Sequence, residues 1–281
     1  MGDQSGSELP LFEIRPTRLG FLGAFASRPI PAGTLVLADS PLFTLDAPLQ
    51  HWLFQRASSG ASGGPTPVEG EEEEEPAKDL DEFLDRAIRQ MLSWKTDEQR
   101  EEFWDLANTR PDLPAAYGIF ATNAVQTTGE IGGMFLTLSR FNSSCRPTLS
   151  RPAWDPTSRT TRLYALRDIA AGEELTWTYL NVTFEFDGAD ARRAEMERVF
   201  EFACGCDACE GVGMSAEDRA TSEQRLMRLR RLKERIGGYD GEMTDGRRKA
   251  LATMADLSEQ EGLHETATRL RNVLQEQELE Q

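Results

Sequence analysis

Between residues 11 and 45 the apolar positions come in short runs, "LFEI", "GAFAS", "TLVLA" and "LFTL". The turn-forming stretches "RPIPAG" and "DSP" separate them. Such runs bounded by Pro, Gly and Asp predict strands. The pattern then stops. Residues 57–76, "ASSGASGGPTPVEGEEEEEP", hold Val68 as their only large apolar side chain. A segment of this kind cannot offset its own ordering entropy and is expected to be a flexible excursion. Helical spacing follows: Leu80, Phe83, Leu84, Ala87, Ile88, Met91 and Leu92 share one face, with acids and Arg opposite. A second helix, "DEQREEFWDLAN", is expected to start after Thr96 as its cap.

From about 117 to 180 the reading returns to strand-like and loop segments: "YGIFATNAV", "GGMFLTL", "TRLYALRDI" and "ELTWTYL". The last hundred residues are mostly helical. "ADARRAEMERVF" leads to a run of cysteines, and three periodic stretches follow near 217–236, 246–260 and 264–278. Their apolar positions, among them Leu226, Leu229, Leu232, Leu251, Met254 and Leu270, suit a small hairpin or bundle. The class implied is α+β: a strand-rich body, an inserted helical segment and a helical tail. At 281 residues the chain is long enough to bury a substantial core.

Charge and composition narrow the function. A net charge of −17 argues against direct grip on a phosphate backbone, which needs clustered Lys and Arg. It suits a basic peptide substrate through steering. No stretch has the length of apolar residues a membrane helix needs. "MGDQSGSELP" has neither the charged start nor the apolar core of a secretory signal, and Ser5 and Ser7 straddle the position a myristoylation motif wants. A protein of the cytosol or nucleus, with no membrane association, is the expectation. Only His51 and His264 are present, without triad-like or metal-like neighbours, so histidine-driven acid–base chemistry is a poor fit.

The densest chemistry is "FEFACGCDACE", where Cys204, Cys206 and Cys209 form C-x-C-x-x-C. Spacings this tight strain a disulfide within the cluster, and a reducing compartment would not keep one. Thiolates so spaced can converge on a zinc ion, which wants four ligands. The chain's other cysteine is Cys145, in "SRFNSSCRPT". The competing reading is four unrelated buried thiols. A closed four-thiolate site would be structural, leaving chemistry to the segments it pins together.

"GAFASRPIPAGTLVLADSPL", "SRFNSSCRPT", "YALRDIAAGEELTWTYL" and "FEFACGCDACE" occur in the order found in SET-domain protein lysine methyltransferases. Over roughly 11–210 the chain resembles the SET-and-MYND type and its fungal relatives. It lacks the Cys and His for a MYND finger. The resemblance implies a SET N-terminal part at 11–56, an acidic linker at 57–78, a helical insertion at 79–116 and a SET C-terminal part at 117–186. A zinc-bound post-SET segment at 187–212 and a helical region at 213–281 complete it. It further implies one structural zinc held by Cys145, Cys204, Cys206 and Cys209. An S-adenosylmethionine (SAM) pocket would be formed by Leu22, Gly23, Asn123, Asn142, Ser143, Tyr179 and Phe202. Tyr179 is implied as the catalytic tyrosine of the lysine channel, and the partner as a protein or peptide substrate. Methyl transfer needs a neutral amine held in line with the methyl group, which requires neither histidine nor a catalytic metal.

Three positions depart from the family pattern. Ser143 stands where N-H-S-C has His, Thr148 where C-x-P-N has Asn, and Phe21 where the G-x-G turn has its first Gly. Asn142, Tyr179 and Phe202 favour an active lysine methyltransferase. Phe21, Ser143 and Thr148 favour a SET-fold protein without that activity, acting as an interaction scaffold or with a pocket for another small molecule. The position of Phe21 separates them: filling the cleft between Asn142 and Phe202 it would exclude SAM.

Overall fold

The structure is a computed structural model and describes residues 10–45, 79–128, 132–237 and 243–279. The linker expected at 57–78 and His51 lie outside these residues. The N-terminal runs form four strands: β1 (Phe12–Pro16), β2 (Leu22–Ala26), β3 (Leu35–Asp39) and β4 (Phe43–Leu45). Helices α1 (Leu80–Ser93), α2 (Asp97–Trp104) and α3 (Ala115–Asn123) follow. Strands β5 (Val125–Gln126), β6 (Gly132–Met134), β7 (Ala153–Asp155), β8 (Thr160–Tyr164) and β9 (Glu174–Leu175) come next. Five helices finish the chain: α4 (Ala189–Phe200), α5 (Asp207–Glu210), α6 (Ala216–Ile236), α7 (Asp245–Gln260) and α8 (His264–Leu279). The content is α+β. The strands form three sheets, ordered β1–β2–β9, β3–β8–β7 and β4–β6–β5.

Two units are interleaved in sequence. The first is drawn from Met1–Leu37, Phe141–Ala153 and Leu163–Gln281, the second from Ala38–Arg140 and Trp154–Arg162. In the first, β1 and β2 pair antiparallel from Phe12↔Ala26 to Pro16↔Leu22, and β9 joins the other edge of β2 through Ala24↔Leu175. The connecting turn is closed by Thr17 N–H to Phe21 O (2.7 Å) and Gly20 N–H to Thr17 O (3.1 Å). Gly20 sits at φ +85°, a left-handed conformation other residues adopt at a cost. The tail packs Leu226 and Leu229 of α6, Leu251 and Met254 of α7 and Leu270 of α8 around Phe186. Its helices carry their own stop and start signals. Ser215 and Asp218 make a capping box, and α6 ends at Gly237 after Lys233 and Arg235.

In the second unit α1–α3 cover the β4–β6–β5 sheet, with Ile88, Leu92, Phe103, Ile119, Phe120 and Met134 in its core. Here the sequence reading needs one correction. "YGIFATNAV", read as strand-like, is the body of helix α3, with only Val125 in a strand. The Asp85 carboxylate on α1 accepts the N–H groups of Ala116 (2.7 Å) and Tyr117 (3.1 Å) and satisfies the first turn of α3 from outside. A segment apolar all round shows no helical period, and packing against α1 decides its conformation.

Candidate functional site

Four chain segments meet in the first unit: the β1–β2 turn, residues 141–148, residues 174–180 and the stretch from the end of α4 to α5. Asn142 joins the first three. Its Nδ2 donates to Leu22 O at 3.0 Å and to Glu174 Oε1 at 2.9 Å, while its backbone carbonyl accepts the Trp177 N–H at 3.2 Å. Gly23 makes this possible. A Cβ there would lie 2.8 Å from each of Asn142 Nδ2, Glu174 Oε1 and Thr17 Cγ2, so only glycine lets them close on β2. Phe21 is 65% exposed, so its ring is not packed into the space around Asn142. The turn is tied to the cysteine stretch by Arg18, which donates to Gly205 O (3.0 Å) and Asp207 Oδ1 (2.8 Å).

Residues 141–148 and 174–180 are laced together through short polar side chains. Ser143 bridges Trp177 in parallel fashion, and its hydroxyl accepts the Tyr179 N–H at 3.1 Å. The Thr148 hydroxyl accepts the Thr176 N–H at 2.9 Å. Two of the three departures from the family pattern, Ser143 and Thr148, are thus occupied in satisfying backbone groups. The Tyr179 hydroxyl donates to Phe141 O at 2.7 Å. Its ring lies 4.6 Å from Trp177 and 5.5 Å from Phe200, which in turn lies 6.3 Å from Phe202. Burial first, and the nearby Glu174 charge second, raise the Tyr179 pKa well above its ordinary value, so the phenol stays protonated. The Trp177 Nε1–H is buried with no partner among the described residues.

The four cysteines converge. Their sulfurs lie within 4.8 Å of one another, with Cys145 Sγ 4.0 Å from Cys204 Sγ and 3.6 Å from Cys209 Sγ. Four sulfurs arranged tetrahedrally about zinc at 2.3 Å would stand about 3.8 Å apart, so the cluster could hold a metal ion of that size and preference. The Cys204 thiol is pushed far above the ordinary range, by Cys145, Cys206 and Cys209 beside it and by burial. A divalent cation would relieve that crowding by displacing the protons. The Cys145 N–H points at Cys206 Sγ, 3.5 Å away. Arg146 next in sequence donates to Cys145 O and, at 2.7 Å, to Glu261 Oε1 at the end of α7. Glu261 also takes Arg225 (2.9 Å) and Ser222 from α6.

Leu22, Gly23, Asn142, Ser143, Tyr179, Phe202 and the four cysteines therefore belong to one unit. Asn123 belongs to the other, at the end of α3, where its Nδ2 is bonded to Ala107 O (2.7 Å) and Ile119 O (2.8 Å). His264 pairs with Glu259 at 2.9 Å. Sequence reasoning passed over Glu174, Trp177, Phe200 and Arg18. Glu174 and Trp177 lie within the quoted "GEELTWTYL", and Phe200 two residues before Phe202, so proximity to the motifs was the available signal. For Arg18 no signal exists in the sequence.

A SET-domain family profile matches residues 22–180. The histone-lysine N-methyltransferase set5 of Schizosaccharomyces pombe is 28% identical over 237 residues, 84% of this chain and 59% of that protein. Histone-lysine N-methyltransferase SMYD3 of Homo sapiens is 29% identical over 152 residues, 52% of this chain and 34% of that protein. The chain thus spans less than two thirds of the length of these curated relatives. Among solved structures, the SET domain of LSMT bound to lysine and AdoHcy aligns over 98% of this chain and 88% of its own. That alignment has 12% identity and a TM-score of 0.39. No helix among the described residues is long and apolar enough to cross a membrane.

Proposed function

The chain belongs to the SET-domain family, and on that premise we propose that it is a lysine methyltransferase using SAM, with one structural zinc ion at its four cysteines. The observation that carries this reading is the junction at Asn142. With Nδ2 committed to Leu22 and Glu174, the Asn142 side-chain Oδ1 is left to accept from an ammonium group, and Glu174 beside it adds negative charge. That chemistry matches the amino-acid end of SAM. Exposed Leu19 and Leu22 with half-buried Phe202 offer apolar surface for an adenine. Backbone at Leu22, Gly23 and Ser143 would complete the pocket. When bound, SAM supplies a methyl group carried on a sulfonium.

The chain's own residues would then deal with the lysine. Because the Tyr179 hydroxyl donates to Phe141 O, its oxygen keeps lone pairs with which to hold an incoming amine N–H. The raised pKa keeps this group a neutral phenol at working pH. Trp177, Tyr179 and Phe200 form an aromatic wall that excludes water, and desolvation lowers the pKa of a lysine entering beside it toward the neutral form. Holding the amine in one orientation supplies much of the remaining acceleration. The S. pombe and human relatives carry histone in their names, which makes histones the first substrates to test and a nuclear or cytoplasmic site of action the matching expectation. A net charge of −17 favours encounter with such basic tails.

The test is calorimetric titration of the zinc-loaded protein with SAM, together with transfer of labelled methyl groups to core histones. Micromolar binding that Asn142→Ala abolishes, with label on lysine, is the expected result. A folded, zinc-loaded protein that binds no SAM would leave a SET fold without this activity.

A further inference from the structure

Arg192, on α4, is 2% exposed, the largest buried charged side chain among the described residues. No carboxylate of the described residues pairs with it; the neighbouring Asp187 carboxylate is taken by Arg230 at 2.6 Å. The guanidinium is held instead by neutral carbonyls, Nη1 to Asp187 O and Nη2 to Ala208 O at 3.4 Å, with Nε lacking a partner among the described residues. It also stands in the first turns of α4, where the helix end is itself positive and disfavours a cation. A buried cation with no counter-charge is strongly unfavourable. What it faces is Cys209, whose Sγ lies 3.6 Å from Nη2. Four neutral thiols would leave the cation uncompensated. Four thiolates around a divalent ion carry a net charge of −2.

We propose that Arg192 is the internal counter-ion of the zinc–thiolate centre, donating an N–H to the Cys209 thiolate and holding α4 against the cluster. The inference rests on the zinc reading above and deepens it. Arg192 is a positioning residue: it offsets negative charge at one sulfur of the centre, holds that sulfur against α4 and so slows loss of the metal. Its neighbour Arg193 provides the contrast. Arg193 bonds the Cys209 and Cys204 carbonyls rather than a sulfur, and its charge is met by Glu210 (3.0 Å) and Asp190 (3.7 Å).

The experiment measures zinc content and the rate of zinc transfer to a chromogenic chelator for the full chain, Arg192→Met, Arg192→Lys and Arg193→Met. Groups behind a metal's ligands typically change affinity by about 10- to 100-fold. Zinc affinity should fall by about that factor in Arg192→Met, recover in large part in Arg192→Lys, and change less than about twofold in Arg193→Met. Thermal unfolding with and without metal separates this from a packing role. Arg192→Met should lower the melting temperature of the zinc-loaded protein but leave the metal-free protein unchanged or more stable, because there no doubly negative metal centre faces the cation. If Arg192→Met does not fold, Arg192→Gln, neutral yet able to donate to the same carbonyls, carries the same comparison. Equal destabilisation of both forms, or zinc release at the unaltered rate, overturns the inference while the zinc reading stands. A purified protein that neither carries nor binds zinc overturns both.

Discussion

At the cysteine cluster four side chains of one kind face each other within 4.8 Å, whereas around Asn142 and Tyr179 most hydrogen bonds end on backbone atoms. The two regions share residues 141–145 and one apolar cluster that includes Leu180, Met196 and Tyr179. They nevertheless answer differently to substitution. The proposed metal centre depends on the identity of each ligand, so exchanging any cysteine would cost it a bond to the ion. A site laced by backbone groups accepts any side chain that satisfies them. Ser143 receives the Tyr179 N–H, Thr148 receives the Thr176 N–H, and Gly20 makes the left-handed turn beside Phe21. What looks degenerate in the sequence is intact in hydrogen-bonding terms.

Four measurements would break or sharpen this contrast. Cys145→Ser should have the largest effect. Structural zinc sites contribute on the order of 10 kcal/mol to folding, so bound zinc should fall to near zero and the melting temperature by about 10 °C or more. Metal analysis and calorimetry check it; full zinc occupancy in the mutant would contradict the four-ligand site. Tyr179→Phe comes second, with methyl transfer down about 100-fold and stability by only about 1 kcal/mol, the worth of the lost bond to Phe141 O. The same variant has a pH signature. The folded pKa of Tyr179 is raised above 10.0, so the group's stabilisation is complete below pH 10 and lost as pH rises toward the folded value. Alkaline unfolding should therefore be steeper in the parent than in Tyr179→Phe. Third, Gly23→Ala forces Asn142 and Glu174 outward; about 1–2 kcal/mol of stability and most SAM affinity should go together, read by denaturant melts and titration. The smallest effect is expected for Phe21→Ala, within about 0.5 kcal/mol of the parent because the ring is exposed. A large loss of SAM affinity there would mean that Phe21 is part of the pocket surface.

The strand runs of the N-terminus and the helices of the tail were legible because their periods and caps are local: Thr96 and Gln99, or Ser215 and Asp218, act within one turn. Helix α3 was not, since its first turn is satisfied by Asp85 from thirty residues upstream. The same divide runs through the site. Four cysteines in a chain with no others point to one another, while the choice of Arg192 as their neighbour follows from how α4 packs and leaves no mark in the sequence. Asn142 was recognised by its motif, but its tie to Glu174 and its dependence on Gly23 are features of three dimensions.

The Arg146–Glu261 pair has a consequence for how the chain can be divided. The family match ends at residue 180, yet three of the four sulfurs lie at 204–209 and the carboxylate that anchors Arg146 lies at the end of α7. Trimming the protein to the matched region would strip the cysteine cluster of three of its four sulfurs and leave Arg146, mostly buried beside Cys145, without its carboxylate acceptor. The smallest autonomous piece must therefore run past Glu261. The tail is not a detachable module but the far side of the same foundation.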